Sequence, residues 1–240
     1  MTTRRKPPGL SLLFMALALF GACAAKKAST PKPPSAKASE ATLDHVESFY
    51  ERLLAIRRPD LAAAYGFPPR EETFEPLTES DLATHIEDLN LMLADVDKAA
   101  PGSKADTLRA RLSRELLQYG PTGAIRRDPF LWMDILQAAL MAPLAGNQVG
   151  GCDETHKIEV RLRILPEALR GASVLMRNAP APDSATFQQR VARFEFFLRS
   201  DLPARTDACK DGRRLAEFTE ADTLAAASLL EFRRSLVPGE

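Results

Sequence analysis

From Leu43 onward, apolar residues recur at every third and fourth position almost without interruption, and that spacing leaves few folds open. A repeat near 3.6 gathers side chains on one stripe of a helix, whereas a half-buried strand needs a repeat of two. Val46, Phe49, Tyr50, Leu53 and Leu54 make the first stripe, and Leu82, Ile86, Leu89, Leu93 and Val96 the second. Leu108, Leu112 and Leu116 follow, then Leu131, Ile135 and Leu140. Ile158, Leu162, Leu165, Leu169 and Leu175 continue through Pro166, which is expected to kink the helix or begin another. Phe187, Val191, Phe194 and Leu198, and finally Leu215, Phe218, Ala221, Ala225, Leu229 and Phe232, complete the set. Glycine and proline clusters at 66–69, 101–102, 120–123, 143–151 and 180–182 separate these segments. Alternating segments are nearly absent. The expected fold is all-α, a single domain over residues 41–240 with about seven helices.

Local signals agree with that division. Thr78-Glu-Ser-Asp81 and Ser103-Lys-Ala-Asp106 read as capping-box entries, and Asp128-Pro129 as an N-cap followed by proline at N1.

Ahead of the helical body the chain has a different character. Arg4, Arg5 and Lys6 precede an uncharged run, Leu10–Phe20, and small residues follow it, the pattern of an export signal over residues 1–22. Eleven residues are too few to span a hydrocarbon core, which takes about 20 in a helix. Leu19-Phe20-Gly21-Ala22-Cys23 resembles the bacterial lipobox, with Phe20 where leucine is usual. The resemblance implies that Cys23 is acylated after cleavage; the alternative is a plain secretory signal with Cys23 incidental. Each buried acyl CH₂ contributes about 0.8 kcal/mol, so two or three chains anchor a protein stably. Ala24 directly after the cysteine, where sorted lipoproteins kept at the inner membrane carry aspartate, suggests the periplasmic face of the outer membrane. The segment up to Glu40, AAKKASTPKPPSAKASE, has no large apolar residue and reads with Cys23 as a disordered tether, 23–40. Fully extended at about 3.1 Å per residue, it would hold a domain some 50 Å from the bilayer.

Tyr50-Glu-Arg-Leu-Leu-Ala-Ile-Arg-Arg-Pro-Asp-Leu-Ala-Ala-Ala-Tyr-Gly66 is a helix, a proline stop and a small-residue turn. It resembles the opening of the bacterial domain of unknown function 885 family. Arg161-Leu-Arg-Ile-Leu-Pro-Glu-Ala-Leu-Arg-Gly-Ala172 and the stretch Ala225–Leu236 with Val237-Pro238 are similar to later segments of that family. The likeness spans roughly residues 46–238. It implies a helical, zinc-peptidase-like scaffold whose HExxH-type motif would lie in a C-terminal half beyond Glu240. His45, His85 and His156 are each followed by a residue other than glutamate, so none of them opens such a motif. Carried over by position, the resemblance supplies a scaffold and no catalytic residue.

Other chemistry is sparse. Cys152, His156 and Glu159 would share one helical face and form a candidate metal set. The alternative, preferred here, makes Asp153 and Glu154 first-turn charges and puts His156 and Glu159 on the solvated side, leaving no metal site. With Cys23 acylated, Cys152 and Cys209 are left as a candidate disulfide, the alternative being two unrelated thiols. Arg161, Arg163, Arg170, Arg177, Arg190, Arg193 and Arg199 fall on two successive helices. They are candidates for a groove that binds peptide carboxylates or glycan, or else a solvated face paired with acids such as Glu167 and Glu195. Trp132, beside Phe130 and Met133, belongs in the core or on the floor of a cleft. Lys and Arg equal Asp and Glu at 32 each, so no overall field attracts nucleic acid. No cofactor motif is present.

These observations lead to one expectation: a non-catalytic envelope lipoprotein, held to the membrane through acyl chains on Cys23, whose helical domain binds a protein or peptide partner. The alternative is the N-terminal portion of a zinc metallopeptidase-like protein, completed in trans or truncated.

Overall fold

The computed structural model describes residues 36–67, 74–144 and 150–237. The signal segment 1–22, Cys23 and the tether as far as residue 35 lie outside the described residues.

The chain forms α1 (Ala36–Arg57), the short α2 (Pro59–Ala64), α3 (Glu79–Lys98), α4 (Ser103–Tyr119), a 3₁₀ turn (Ala124–Arg126) and α5 (Pro129–Met141). A second 3₁₀ turn (Ala142–Leu144) precedes α6 (Cys152–Leu175) and α7 (Ser184–Phe196). A π turn (Phe197–Asp201), the single turn α8 (Leu202–Ala204) and α9 (Gly212–Leu236) follow. Among the described residues there is no strand, and no helix is long and apolar enough to cross a membrane. The fold is all-α, with seven long helices, one on each apolar stripe.

Three boundaries differ from the sequence expectation. Helix α1 starts at Ala36, inside the stretch assigned to the tether. Alanine, lysine and glutamate are good helix formers, and extending a helix that is already packed adds a hydrogen bond for each residue fixed. Helix α4 is capped by Gly102 rather than Ser103, so Ser103 is its first residue and Asp106 instead holds Arg109 at 2.8 Å. Pro166 neither ends α6 nor starts a new helix. Leu162 and Leu165 before it, and Ala168, Leu169 and Ala172 after it, are all buried, so packing on both sides outweighs the lost backbone bond. The other caps follow expectation. Asp81 accepts from the Thr78 N–H and hydroxyl at 3.4 and 2.5 Å, and Asp128 accepts from the N–H groups of Phe130 and Leu131.

Helices α6 and α9 form the central pair, and they run in the same direction. Cys152 is bonded to Cys209 at their starts; further along, Arg214 meets His156, Arg163 meets Glu220, and Ser173 meets Ser235 at 3.0 Å. Phe218, Ala221, Ala225, Leu229 and Phe232 of α9 are buried. Trp132 of α5 is 1 % exposed and donates its indole N–H to the Ile125 carbonyl at 2.9 Å. It is a core residue and floors no cleft.

Candidate functional site

The far end of the α6–α9 pair carries the site. Helix α6 ends at Leu175 and the chain turns through Met176, Asn178 and Pro180; α9 ends alongside, at Leu236. The 3₁₀ turn after α4 brings Arg126 and Arg127 to the same place. Its approach depends on Gly123, where an added Cβ would lie 2.0 Å from the Gln118 carbonyl oxygen. Any side chain there would force the backbone away from the end of α4.

Two clefts open here. The first, about 460 Å³, is lined by Arg127, Arg170 and Arg177, by the Ser173 and Ser235 hydroxyls, and by Val174, Leu236 and the Pro180–Pro182 wall. The second, about 560 Å³, is lined by Arg126 and Arg127, by Thr122 and Asn178, and by Ile86, Pro121 and Leu175. Arg127 and Pro180 belong to both. Neither lining contains an aspartate or glutamate. Arg126 reaches Glu79 at 3.3 Å, while Arg127, Arg170 and Arg177 have no carboxylate partner among the described residues. The C-terminal ends of α6 and α9 each bring roughly half a negative charge, which offsets about one of these three cations. A net positive field remains, and guanidinium forks match carboxylate and phosphate geometry.

A second cluster lies inside the domain and was not foreseen from the sequence. Glu115 of α4 is fully buried and accepts a short hydrogen bond from the Tyr50 hydroxyl of α1. Its other oxygen has no partner among the described residues. Burial pushes the carboxyl up to about 7, against the lowering influence of the Tyr50 hydroxyl and Arg58. Buried Arg58 clasps Asp60 through two bonds of 2.9 and 2.7 Å and reaches Gln118 at 2.7 Å and the Tyr119 hydroxyl at 3.3 Å. His85 of α3 packs edge-on against Tyr119, with 4.3 Å between ring centres. A guanidinium can only donate, so the 3.2 Å contact from Arg57 makes Nδ1 of His85 the acceptor and puts its proton on Nε2. Burial first, then Arg57 and Arg58, drop the His85 pKa to about 3. Tyr50, His85 and Glu115 are sealed from solvent. It joins α1, α2, α3 and α4.

The sequence candidates fall as follows. Cys152 and Cys209 are joined in a disulfide. The metal set Cys152, His156 and Glu159 fails because that sulfur is committed to its bond. The expectation that Glu159 is solvated also fails: Glu159 is 6 % exposed, is bound by Arg163 and sits 3.0 Å from His156 Nδ1. Among the described residues no group of three ligand-type side chains comes together. The arginines of α6 separate by helical phase. Arg163 and Arg170 lie seven residues apart on one stripe, which Arg177 extends beyond the helix end, whereas Arg161 is two residues, about 200°, away. Arg161 is accordingly 4 % exposed, donates to the Ala139 carbonyl at 2.5 Å, and has its pKa lowered by burial. Arg163 sits in the α6–α9 seam, on Glu159 and Glu220. Only Arg170 and Arg177 reach the clefts. Arg190 pairs with Asp134, and Arg199 with Glu195 at 3.0 Å.

The residues missed are Arg126 and Arg127. Their signal was a doublet: Arg126-Arg127-Asp128-Pro129 echoes Arg57-Arg58-Pro59-Asp60, each opening a helix with proline at its start. No protein-family model, curated protein or solved structure matches this chain.

Proposed function

We propose that this chain is a non-catalytic lipoprotein of the bacterial envelope whose helical domain binds an anionic partner in the clefts at the shared end of α6 and α9. One observation carries the binding role: four arginines line the two clefts, three of them have no carboxylate partner among the described residues, and no acid lines either cleft. Holding such a cluster together without counter-charges raises the energy of the empty site, and an incoming anion relieves it. The carboxyl and imidazole with the most displaced proton affinities, Glu115 and His85, are buried away from any substrate, which supports a role without bond-breaking. The anchored location rests on the lipobox-like Leu19–Cys23 and the basic, apolar segment before it. The likeness to the domain of unknown function 885 family enters this reading as the source of a scaffold alone. The metallopeptidase-portion alternative would want an open apolar face on α9, and Phe218, Leu229 and Phe232 are instead buried in this domain's own core.

Fluorescence anisotropy of a labelled pentaglutamate with the purified full chain tests the binding role. Titratable binding is expected, weakened at least tenfold in the R127A/R170A/R177A variant with an unchanged urea melt. Binding that ignores the three substitutions would overturn the site. Zinc-dependent peptide hydrolysis by the chain alone would overturn the non-catalytic role, and a mature N-terminus without fatty acid on Cys23 would overturn the location.

A further inference from the structure

The two clefts differ in what they offer, and Arg127 stands between them. On one side, Arg170 and Arg177 are set among Val174, Leu236 and the prolines of 180–182. On the other, Arg126 is set with Thr122 and Asn178, whose side chains have no hydrogen-bond partner among the described residues. Each volume is of the size that accommodates a small ligand by itself. A compact anion in the first cleft meets Arg127, Arg170 and Arg177 and leaves Arg126 with only its exposed 3.3 Å pair to Glu79. An exposed pair of that kind contributes little and yields to an incoming carboxylate. An occupant that satisfies both clefts must be elongated, carry negative charge at two places, and present apolar and hydrogen-bonding groups between them.

An extended polypeptide has that composition. Its acidic side chains meet the guanidinium forks, its backbone amides meet Asn178 and Thr122, and an apolar side chain covers Val174, itself 40 % exposed. Single-stranded nucleic acid would want open aromatic faces for its bases, and the one aromatic residue lining either cleft, Tyr119, is 1 % exposed. Resting on the anion-binding reading above, we infer that the two clefts form one continuous groove for an extended peptide segment of a partner protein, with two acidic side chains read on either side of Arg127.

The spacing of the acids is then the decisive variable, because an extended chain advances about 3.3 Å per residue and only one spacing reaches both arginine sets. The test uses fluorescein-labelled nine-residue peptides with a Ser/Val/Gln background, measured by anisotropy against the full chain. They carry no glutamate, one glutamate, or two glutamates separated by two, four or six positions. One spacing is expected to bind at least tenfold more tightly than the single-glutamate peptide, with the other spacings near the single-glutamate value. R126A and R177A are each expected to abolish the gain from the second glutamate, the two-glutamate peptide falling to the single-glutamate affinity measured with the same variant. R126K and R177K, with urea melts matching the parent chain, guard against a folding defect and are expected to restore part of the gain. If single-glutamate binding depends on Arg127 but no spacing gives a gain, the continuous groove is wrong and the anion-binding role stands. If no glutamate-dependent binding occurs, the anion-binding role itself is wrong. If inorganic triphosphate displaces the best peptide with at least tenfold higher affinity, the ligand class is a polyphosphate and the peptide assignment is overturned.

Discussion

Replacing Glu115 by glutamine should stabilise this domain, and only above a particular pH. The carboxyl is fully buried, receives the Tyr50 hydroxyl, and has its second oxygen unpartnered among the described residues. Its proton affinity in the folded chain corresponds to a pKa of about 7, against 4.5 for the free side chain. A carboxyl raised in this way favours folding fully below 4.5, and that contribution disappears as pH climbs through 7, where the folded state must bury a charge that the unfolded state solvates. At 1.36 kcal/mol per pH unit, the interval from 4.5 to about 7 amounts to about 3 kcal/mol. Glutamine keeps an oxygen for the Tyr50 hydroxyl and never ionises. The variant's advantage over the parent should therefore be about 3 kcal/mol larger at pH 8 than at pH 4.5. For a domain of this size that is a relative gain in Tm of about 6–12 °C at the higher pH. Urea melts followed by circular dichroism at the two pH values, for parent and variant, measure the difference directly. Because each comparison is made at one pH, every other titrating group cancels. An equal effect of E115Q at both pH values would refute the raised proton affinity of this buried carboxyl.

His85 should act in the opposite sense: its folded pKa near 3 sits below the free value of 6.5, so its contribution is present above 6.5 and lost as pH falls toward 3. H85F, which keeps the edge-on ring contact to Tyr119, should flatten the loss of stability between pH 6.5 and 4 in the same melts. Removing the disulfide with C152S/C209S should lower unfolding free energy by roughly 4 kcal/mol, the chain-entropy value for a loop of this length, read from urea midpoints with and without the substitutions. G123A should both lower Tm and weaken pentaglutamate binding, because the displaced turn carries Arg126 and Arg127; a variant with a lowered Tm and unchanged affinity would break the link between that glycine and the clefts.

The fold was largely readable in the chain because helix periodicity is a local property. The stripes through Leu82–Val96 and Phe218–Phe232 needed no partner to be recognised, and the same holds for the Asp128 cap. The site was less readable because it is made by convergence. Arg170 and Arg177 lie on a visible seven-residue repeat, yet nothing local shows that residues 126 and 127 meet them across the domain. Burial of charge was equally hidden: Arg58, Glu115 and Glu159 occupy positions that read as polar faces until neighbouring helices close over them. Pro166 shows the reverse case, a strong local signal overruled by apolar packing before and after it.

Two helices pointing the same way cannot be joined by a tight turn, so the chain between α6 and α9 must travel back along the whole pair before α9 can begin. The Cys152–Cys209 bond closes that return journey into a covalent ring of the two helix starts and everything strung between them. A protease that severs the loop after α6 would release nothing while the sulfurs stay oxidised: both halves of the cut ring would remain tied at its base, and the arginines at the opposite tip would still be delivered by a connected pair. In a thiol-reducing compartment the same cut would leave the C-terminal helix held by its buried apolar face alone, so the integrity of the groove is tied to the chemistry of the space the protein occupies.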